Sequence, residues 1–109
     1  MTVAEWLEDR DPKPPDALDA RMRASIGTDL TRDAADLIPV CVAAAERTLS
    51  ALLVTTMTER EHAFELLAAD ALVTYAFEAA AEDPDTLSEV AVTALSRLSA
   101  LAPLVGGAS

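Results

Sequence analysis

The sequence predicts an all-α fold, an antiparallel bundle of three long helices preceded by a short N-terminal helical arm. Of the 109 residues, 51% are apolar, but only 4% are aromatic and 3 are glycine. The apolar content comes from Ala, Leu and Val in long stretches with few helix breakers, and Ala and Leu are favourable helix formers. No run alternates apolar and polar residues between turn residues, as a surface strand would. These observations favour closely packed helices.

The arm comprises residues 1–14. Residues 2–9 are predicted to form a helical turn with Val3, Trp6 and Leu7 on one side, followed by the breaker sequence DRDPKPP. Tandem prolines impose an extended backbone there. A lone tryptophan before a proline-rich linker is typical of an anchor, so we expect Trp6 to hold the arm in a groove of its own bundle or of a partner subunit.

The bundle covers residues 15–102 and opens with a short helix. Pro15 suits the first turn of this helix, and Gly27 is expected to end it as a C-cap. Its apolar residues recur at four-residue spacing and share one face: Leu18, Met22 and Ile26. A second helix is expected to begin between residues 28 and 31. Pro39 lies further along it and would kink it or split it into a lead turn and a main helix.

The main helix after Pro39 has an apolar stripe and a polar side. The predicted core stripe consists of Val42, Ala45, Leu49, Leu52 and Leu53, whereas Glu46, Arg47 and Ser50 mark the side facing water. This pattern is typical of a helix that packs along one face.

The third helix is predicted to run from Thr58 to about Glu82. Thr58 and Glu61 form a capping box, in which each side chain bonds the other residue's amide. Four polar residues at four-residue spacing make its one continuous polar stripe: Asp70, Thr74, Glu78 and Glu82. A helix that is apolar around the rest of its circumference is central in a bundle or buried in an oligomer. We therefore expect a homodimer, with anchor and interface positions at Trp6, Leu7, Phe64, Tyr75 and Phe77.

The last helix is expected to begin with Asp83 as N-cap and Pro84 at the first helical position. Its apolar positions repeat at three- and four-residue spacing: Leu87, Val90, Ala91, Ala94, Leu95, Leu98 and Leu101. Pro103 should end it, and residues 103–109 are expected to form a flexible tail. Short connections require neighbouring long helices to run antiparallel.

Net charge excludes several classes of partner. The formal charge is −11, which repels phosphates, so neither nucleic acid nor an anionic membrane is an expected partner. No uncharged apolar run reaches the roughly 18–20 residues that span a bilayer. The N-terminal residues lack the features of a signal peptide, and one cysteine, Cys41, cannot form an internal disulfide. We therefore expect a cytoplasmic protein.

One pair of residues could bind a metal ion. Glu59 and His62 lie one helical turn apart, and EREHAFELL resembles the metal-binding helix of small encapsulated ferritins. The resemblance implies iron or another divalent metal, for oxidation or storage. Glu46 is the candidate third ligand, but in a simple hairpin it lies roughly 15 Å along the helix axis from Glu59. A dimer mate, or Asp29 or Asp33, would have to complete the shell. The alternative is that Glu59 merely offsets the helix dipole at a helix start.

A second resemblance covers about residues 64–80. AADALVTYAFEAAAED resembles the helix after the first aspartate-rich region of trans-isoprenyl diphosphate synthases; the matching positions are Ala69, Asp70, Ala71, Leu72, Ala76 and Phe77. The flanks match more loosely, at residues 39–50 and at Gly106-Gly107. The position of that family's aspartate motif reads VTTMTERE, without its magnesium ligands. The resemblance therefore implies a shortened, non-catalytic accessory subunit.

The residues taken together predict a non-catalytic module. The sequence offers no nucleophile with a base, no phosphate-binding glycine loop and no closed set of metal ligands. We expect an acidic helical bundle without a cofactor that binds a protein partner or an apolar small molecule. The ferritin-like metal protein and the synthase-like accessory subunit are the alternatives.

Overall fold

The computed structural model describes residues 1–82 and 84–101, and this part of the chain is helical without a β-strand. The described α-helices are α1 (Val3–Glu8), α2 (Asp16–Ile26), α3 (Leu37–Val54), α4 (Glu59–Ala81) and α5 (Pro84–Ser99). Two short 3-10 helices, Gly27–Thr31 and Ala34–Asp36, connect α2 to α3. The predicted all-α class is therefore confirmed.

The N-terminal arm is fixed to the loop between the two 3-10 helices. Thr2 and Glu5 form a capping box that starts α1. The N–H of Val3 donates to the carbonyl of Arg32 (2.9 Å), and the N–H of Ala34 donates to the carbonyl of Met1 (2.8 Å). The predicted arm helix is thus present, and its first residues are held by backbone hydrogen bonds.

Helix α2 follows the sequence prediction closely. Its predicted apolar face is buried in the core: Leu18, Met22 and Ile26. Gly27 follows the helix at φ 65°, a left-handed conformation that side chains with a Cβ disfavour. The C-cap predicted at Gly27 is therefore confirmed.

Helix α3 begins later than predicted, at Leu37 rather than at residues 28–31. The earlier residues form 3-10 helices, and Asp33 caps the second of them by accepting from the N–H of Ala35 (2.8 Å). Pro39 therefore lies in the first turn of α3, where a missing amide removes no helical hydrogen bond. The predicted division into a lead turn and a main helix is present, but it falls before Leu37 and not at Pro39.

Helix α4 starts with the predicted capping box of Thr58 and Glu61 and spans 23 residues. Its buried face consists mainly of alanine: Ala68, Ala69, Leu72, Ala76 and Ala80. The predicted polar stripe is exposed along its whole length. Within the described chain, α3 and α4 make the most extensive helix contact. Small side chains on α4 permit the two helices to approach closely.

Helix α5 packs on α4 and, less extensively, on α3. Ala94 is buried, but Leu95, one of the apolar positions predicted to repeat along one side of this helix, is 64% exposed. Leu53 of the predicted α3 stripe is likewise exposed, whereas Leu52 beside it is buried. The predictions for Asp83 and for residues 102–109 lie outside the described residues, as do those for the side chains of Leu87 and Val90.

One segment, Ala34–Val54, is long and apolar enough to cross a membrane by length and composition, with a mean hydropathy of 1.7. Glu46 and Arg47 interrupt this segment, so it contains no uncharged run long enough to span a bilayer. A core helix meets the same test of length and composition. Here 44% of the most apolar window is buried inside the protein, and α3 contributes eight buried residues.

Candidate functional site

The three candidate metal ligands do not come together within one chain. Glu59 and His62 are both exposed in the first turn of α4. The Nε of Arg97 on α5 donates to Oε2 of Glu46 at 2.7 Å, so this carboxylate is already engaged. Among the described residues, no group of three or more His, Cys, Asp or Glu side chains could hold a metal ion. The described part of the chain therefore supplies Glu59 and His62 with no further metal ligands.

The anchor residues of the arm lie in the core of their own chain. Trp6 is 6% exposed, and its ring packs edge-on against Tyr75 of α4, with ring centroids 5.8 Å apart. The guanidinium of Arg10 covers the indole at 3.6 Å from its centroid, and Nε of Arg10 donates to the carbonyl of Trp6. Leu7 is also buried. The arm is thus held by an aromatic pair and a cation–π contact.

Burial also affects the Tyr75 hydroxyl. It raises the pKa of Tyr75, and the carboxylates of Glu78 and Asp19 act in the same direction. The hydroxyl therefore stays protonated at neutral pH. An open cleft of about 470 Å³ lies beside it, lined mainly by the polar linker from Asp9 to Pro14 and by Glu78.

The two phenylalanines assigned to an interface are half-buried on α4. Phe64 packs against the core cluster. Phe77 keeps part of its ring accessible. Their positions are compatible with intrachain packing, and the structure of one chain does not assign them to an interface.

Exposed large apolar side chains are concentrated on α3, α4 and α5. Apart from Met1, those of the described chain are Leu53, Val54, Leu66, Leu67, Val92 and Leu95. We refer to these six as the exposed apolar set. Their exposed fractions range from 37% for Leu53 to 77% for Val54. In contrast, α1 and α2 bury their large apolar residues in the core.

The segments that carry most of this set are also poor in charge. Residues 48–58 contain no charged residue, and residues 90–101 contain only Arg97, which pairs with Glu46. Five of the eight basic residues lie in the first 32 residues, where they form most of the described ion pairs. Contiguous exposed apolar patches mark interaction sites, so these charge-poor segments are the candidate contact region of the protein.

Cys41 has no role as a nucleophile in this structure. It is a free thiol that is completely buried, and burial raises its pKa to about 12. Because the thiolate is the reactive form, almost none is present at neutral pH.

Several structural contacts had no signal in the sequence. Arg21 of α2 donates to Glu65 of α4 at 2.7 Å, and Ser25 hydrogen bonds the buried Thr48 hydroxyl at 2.8 Å. Each pair joins residues far apart in the chain, so its formation depends on tertiary packing. The run of uncharged residues 48–58 was, however, visible in the sequence.

No protein-family model matches this chain, and neither a curated protein nor a solved structure is significantly similar to it.

Proposed function

We propose that this protein is a non-catalytic, homodimeric helical module that binds a partner protein or an apolar small molecule. We also propose a cytoplasmic location, which suits its buried free thiol Cys41. The exposed apolar set in charge-poor segments carries this proposal.

Electrostatics explain why such segments suit self-association. Two copies of a chain with a formal charge of −11 repel each other. A dimer contact through acidic side chains would add a desolvation cost to that repulsion. The side chains of the exposed apolar set carry no charge, so their own burial in a dimer contact involves no desolvation of a carboxylate.

The size of the exposed apolar set fits an association of moderate strength. Complete burial of a Leu or Val side chain contributes about 1.5–3 kcal/mol, and these side chains are roughly half exposed. Burial of both copies of the set would then contribute on the order of 10 kcal/mol. The loss of translational and rotational freedom costs about 4–15 kcal/mol, so further contacts are needed for tight association.

For the bundle itself, we propose that α3 and α5 run parallel, with α4 antiparallel to both. Two observations support this arrangement. The ion pair between Glu46 and Arg97 joins residues 51 positions apart. Nearer the starts of both helices, a groove is lined by Ile38 and Val42 from α3 and by Glu89 and Thr93 from α5, and these residues are again 51 positions apart in the chain. A constant difference in residue number along two neighbouring helices indicates that they run in the same direction.

Light scattering coupled to size-exclusion chromatography tests the proposed dimer. We expect twice the chain mass for the wild type and a shift towards the monomer for Leu95→Glu, which introduces a charge into the part of the exposed apolar set that lies in the charge-poor residues 90–101. The control is Ala24→Glu, which adds the same charge on an exposed position of α2. A monomeric wild type at high protein concentration would refute the dimer, and equal behaviour of the two variants would refute this surface.

The two alternatives from the sequence have no additional support. The ferritin-like protein would require Glu59 and His62 to meet carboxylates of a second protomer. The synthase-like accessory subunit rests on the residue matches alone, and its matched positions Ala69, Leu72 and Ala76 are buried. His62→Ala with measurement of bound metal tests the first alternative, which predicts loss of the metal.

A further inference from the structure

A groove of about 230 Å³ lies between α3 and α5. Its α3 side is apolar and consists of Ile38, Pro39 and Val42. The described side chains on its α5 side are polar, and they present a carboxylate, a hydroxyl and a guanidinium at four-residue spacing: Glu89, Thr93 and Arg97. Side chains at this spacing follow one face of a helix. The groove is therefore an aliphatic surface with a line of polar groups beside it.

The charge of the groove is negative. The Arg97 guanidinium at one end is neutralised by Glu46 at 2.7 Å. Glu89 is exposed, and no basic side chain pairs with it in the part of the chain that the structure describes. One negative charge thus remains beside the aliphatic surface, on a protein whose net charge is −11.

Charge complementarity selects the occupant. A lysine or arginine can lay its aliphatic stem on the accessible Ile38 and Pro39 and direct its charged end to Glu89, because such side chains bury the stem and keep the charge solvated. A second copy of this acidic chain would instead bring more carboxylates to the groove. The overall field also steers basic partners towards the protein.

We infer that this groove binds a basic, amphipathic helix of a partner protein. An amphipathic helix presents an aliphatic and a basic residue one turn apart, which matches the arrangement of apolar and acidic groups here. A groove of this size accommodates only a few side chains, so binding is expected to be weak. The inference rests on the proposed function as a binding module, but it does not depend on the dimer.

Fluorescence anisotropy of a labelled synthetic helix made of leucine and lysine, titrated with the full chain, tests the inference. The first variant is Glu89→Gln, and its control is Glu78→Gln, which makes the same charge change on the exposed stripe of α4. Loss of an exposed ion pair weakens binding by up to about fivefold. We expect about threefold to fivefold weaker binding for Glu89→Gln and less than about 1.5-fold for Glu78→Gln.

A second pair of variants tests the position of the site. Thr93→Arg places a large cationic side chain in the groove, whereas Ser96→Arg places it on an exposed position of α5 outside the lining. We expect at least about tenfold weaker binding for Thr93→Arg and less than about threefold for Ser96→Arg. Circular dichroism of all four variants confirms that they fold.

Three outcomes would overturn the inference. Equal effects of each variant and its control would mean that the peptide responds only to net charge. If a helix made of leucine and glutamate bound as tightly as the leucine and lysine helix, charge complementarity would not explain the binding. Light scattering that shows loss of a dimer in Thr93→Arg alone would place a second copy in the groove. Normal dimerisation with lost peptide binding in that variant would separate this site from the proposed dimer surface.

Discussion

Replacement of Trp6 by alanine tests whether the arm belongs to the core of its own chain. The indole is 6% exposed and packs on Tyr75, and Arg10 covers its other surface. Truncation of a buried tryptophan to alanine typically costs about 3–5 kcal/mol, through lost transfer free energy and the cavity left behind. The hydrogen bond from Arg10 to the carbonyl of residue 6 does not require the indole. We therefore expect the free energy of unfolding to fall by about 4 kcal/mol.

Urea unfolding followed by far-ultraviolet circular dichroism measures this change without using the tryptophan as a probe. A domain of this size is typically stable by about 5–15 kcal/mol, so the transition should shift to much lower urea. Thr56→Ala is the control, because it truncates an exposed side chain that lies outside both the core and the exposed apolar set. Such a surface change should cost less than about 0.5 kcal/mol.

Two results would refute this interpretation of Trp6. A loss below about 1 kcal/mol would mean that the indole does not fill a core site. A loss that disappears when the protein is diluted would place the tryptophan against a partner subunit, since intrachain packing does not depend on protein concentration.

Three further predictions concern the backbone at Gly27, the N-cap of α4 and the thiol of Cys41. Gly27→Ala should lower the free energy of unfolding by about 1–3 kcal/mol, because an alanine is unfavourable at φ 65°. No atom lies within 4 Å of an added Cβ, so this backbone conformation is the whole cause of the loss. A thermal melt unchanged from the wild type would contradict this prediction. Thr58→Ala should lower the free energy of unfolding by about 0.5–2 kcal/mol, because it removes the N-cap of α4. The control Thr56→Ala, in the preceding connection, should leave it nearly unchanged, and urea unfolding measures both variants. Burial raises the pKa of Cys41 from 9.0 to about 12, so between these values the unfolded chain releases a proton that the folded chain keeps. The free energy of unfolding should therefore fall as pH rises above 9, by about 1.4 kcal/mol per pH unit, and Cys41→Ala should lack this contribution.

Features that depend on residues within one helical turn could be predicted from the sequence. The capping box of Thr58 and Glu61 and the glycine at the end of α2 are of this kind, because their hydrogen bonds and dihedral angles are local. The buried face of α2 was also predicted, since its four-residue spacing leaves one apolar side. The start of α3 was not, because 3-10 helices have no comparable signal.

The orientation of α4 could not be predicted from hydropathy. Leu66 and Leu67 are the more apolar residues, yet they are 44% and 51% exposed, whereas the neighbouring Ala68 and Ala69 are buried. Hydropathy favours burial of leucine, but alanine fills four of the five buried positions of α4, and Leu72 is the one large side chain among them. Which side of α4 meets α3 is therefore decided by steric fit between helices.

Glu46 illustrates the same limit for the candidate site. The sequence placed it on the side of α3 that faces water and also made it a candidate metal ligand, but in the structure Arg97 binds its carboxylate. The two residues are 51 positions apart, and only the packing of α5 against α3 brings them together. The exposed apolar set likewise became identifiable only after burial of the other leucines was known.

The alanine face of α4 has a consequence for the internal motion of the molecule. Contacts through short side chains without rotamers leave α3 and α4 little room to slide or to exchange between packing arrangements. Opening of either helix would then require separation of both, so their central amides should exchange hydrogen for deuterium only through nearly complete unfolding. The short arm helix α1 can detach by breaking far fewer contacts, and we expect its amides to exchange first.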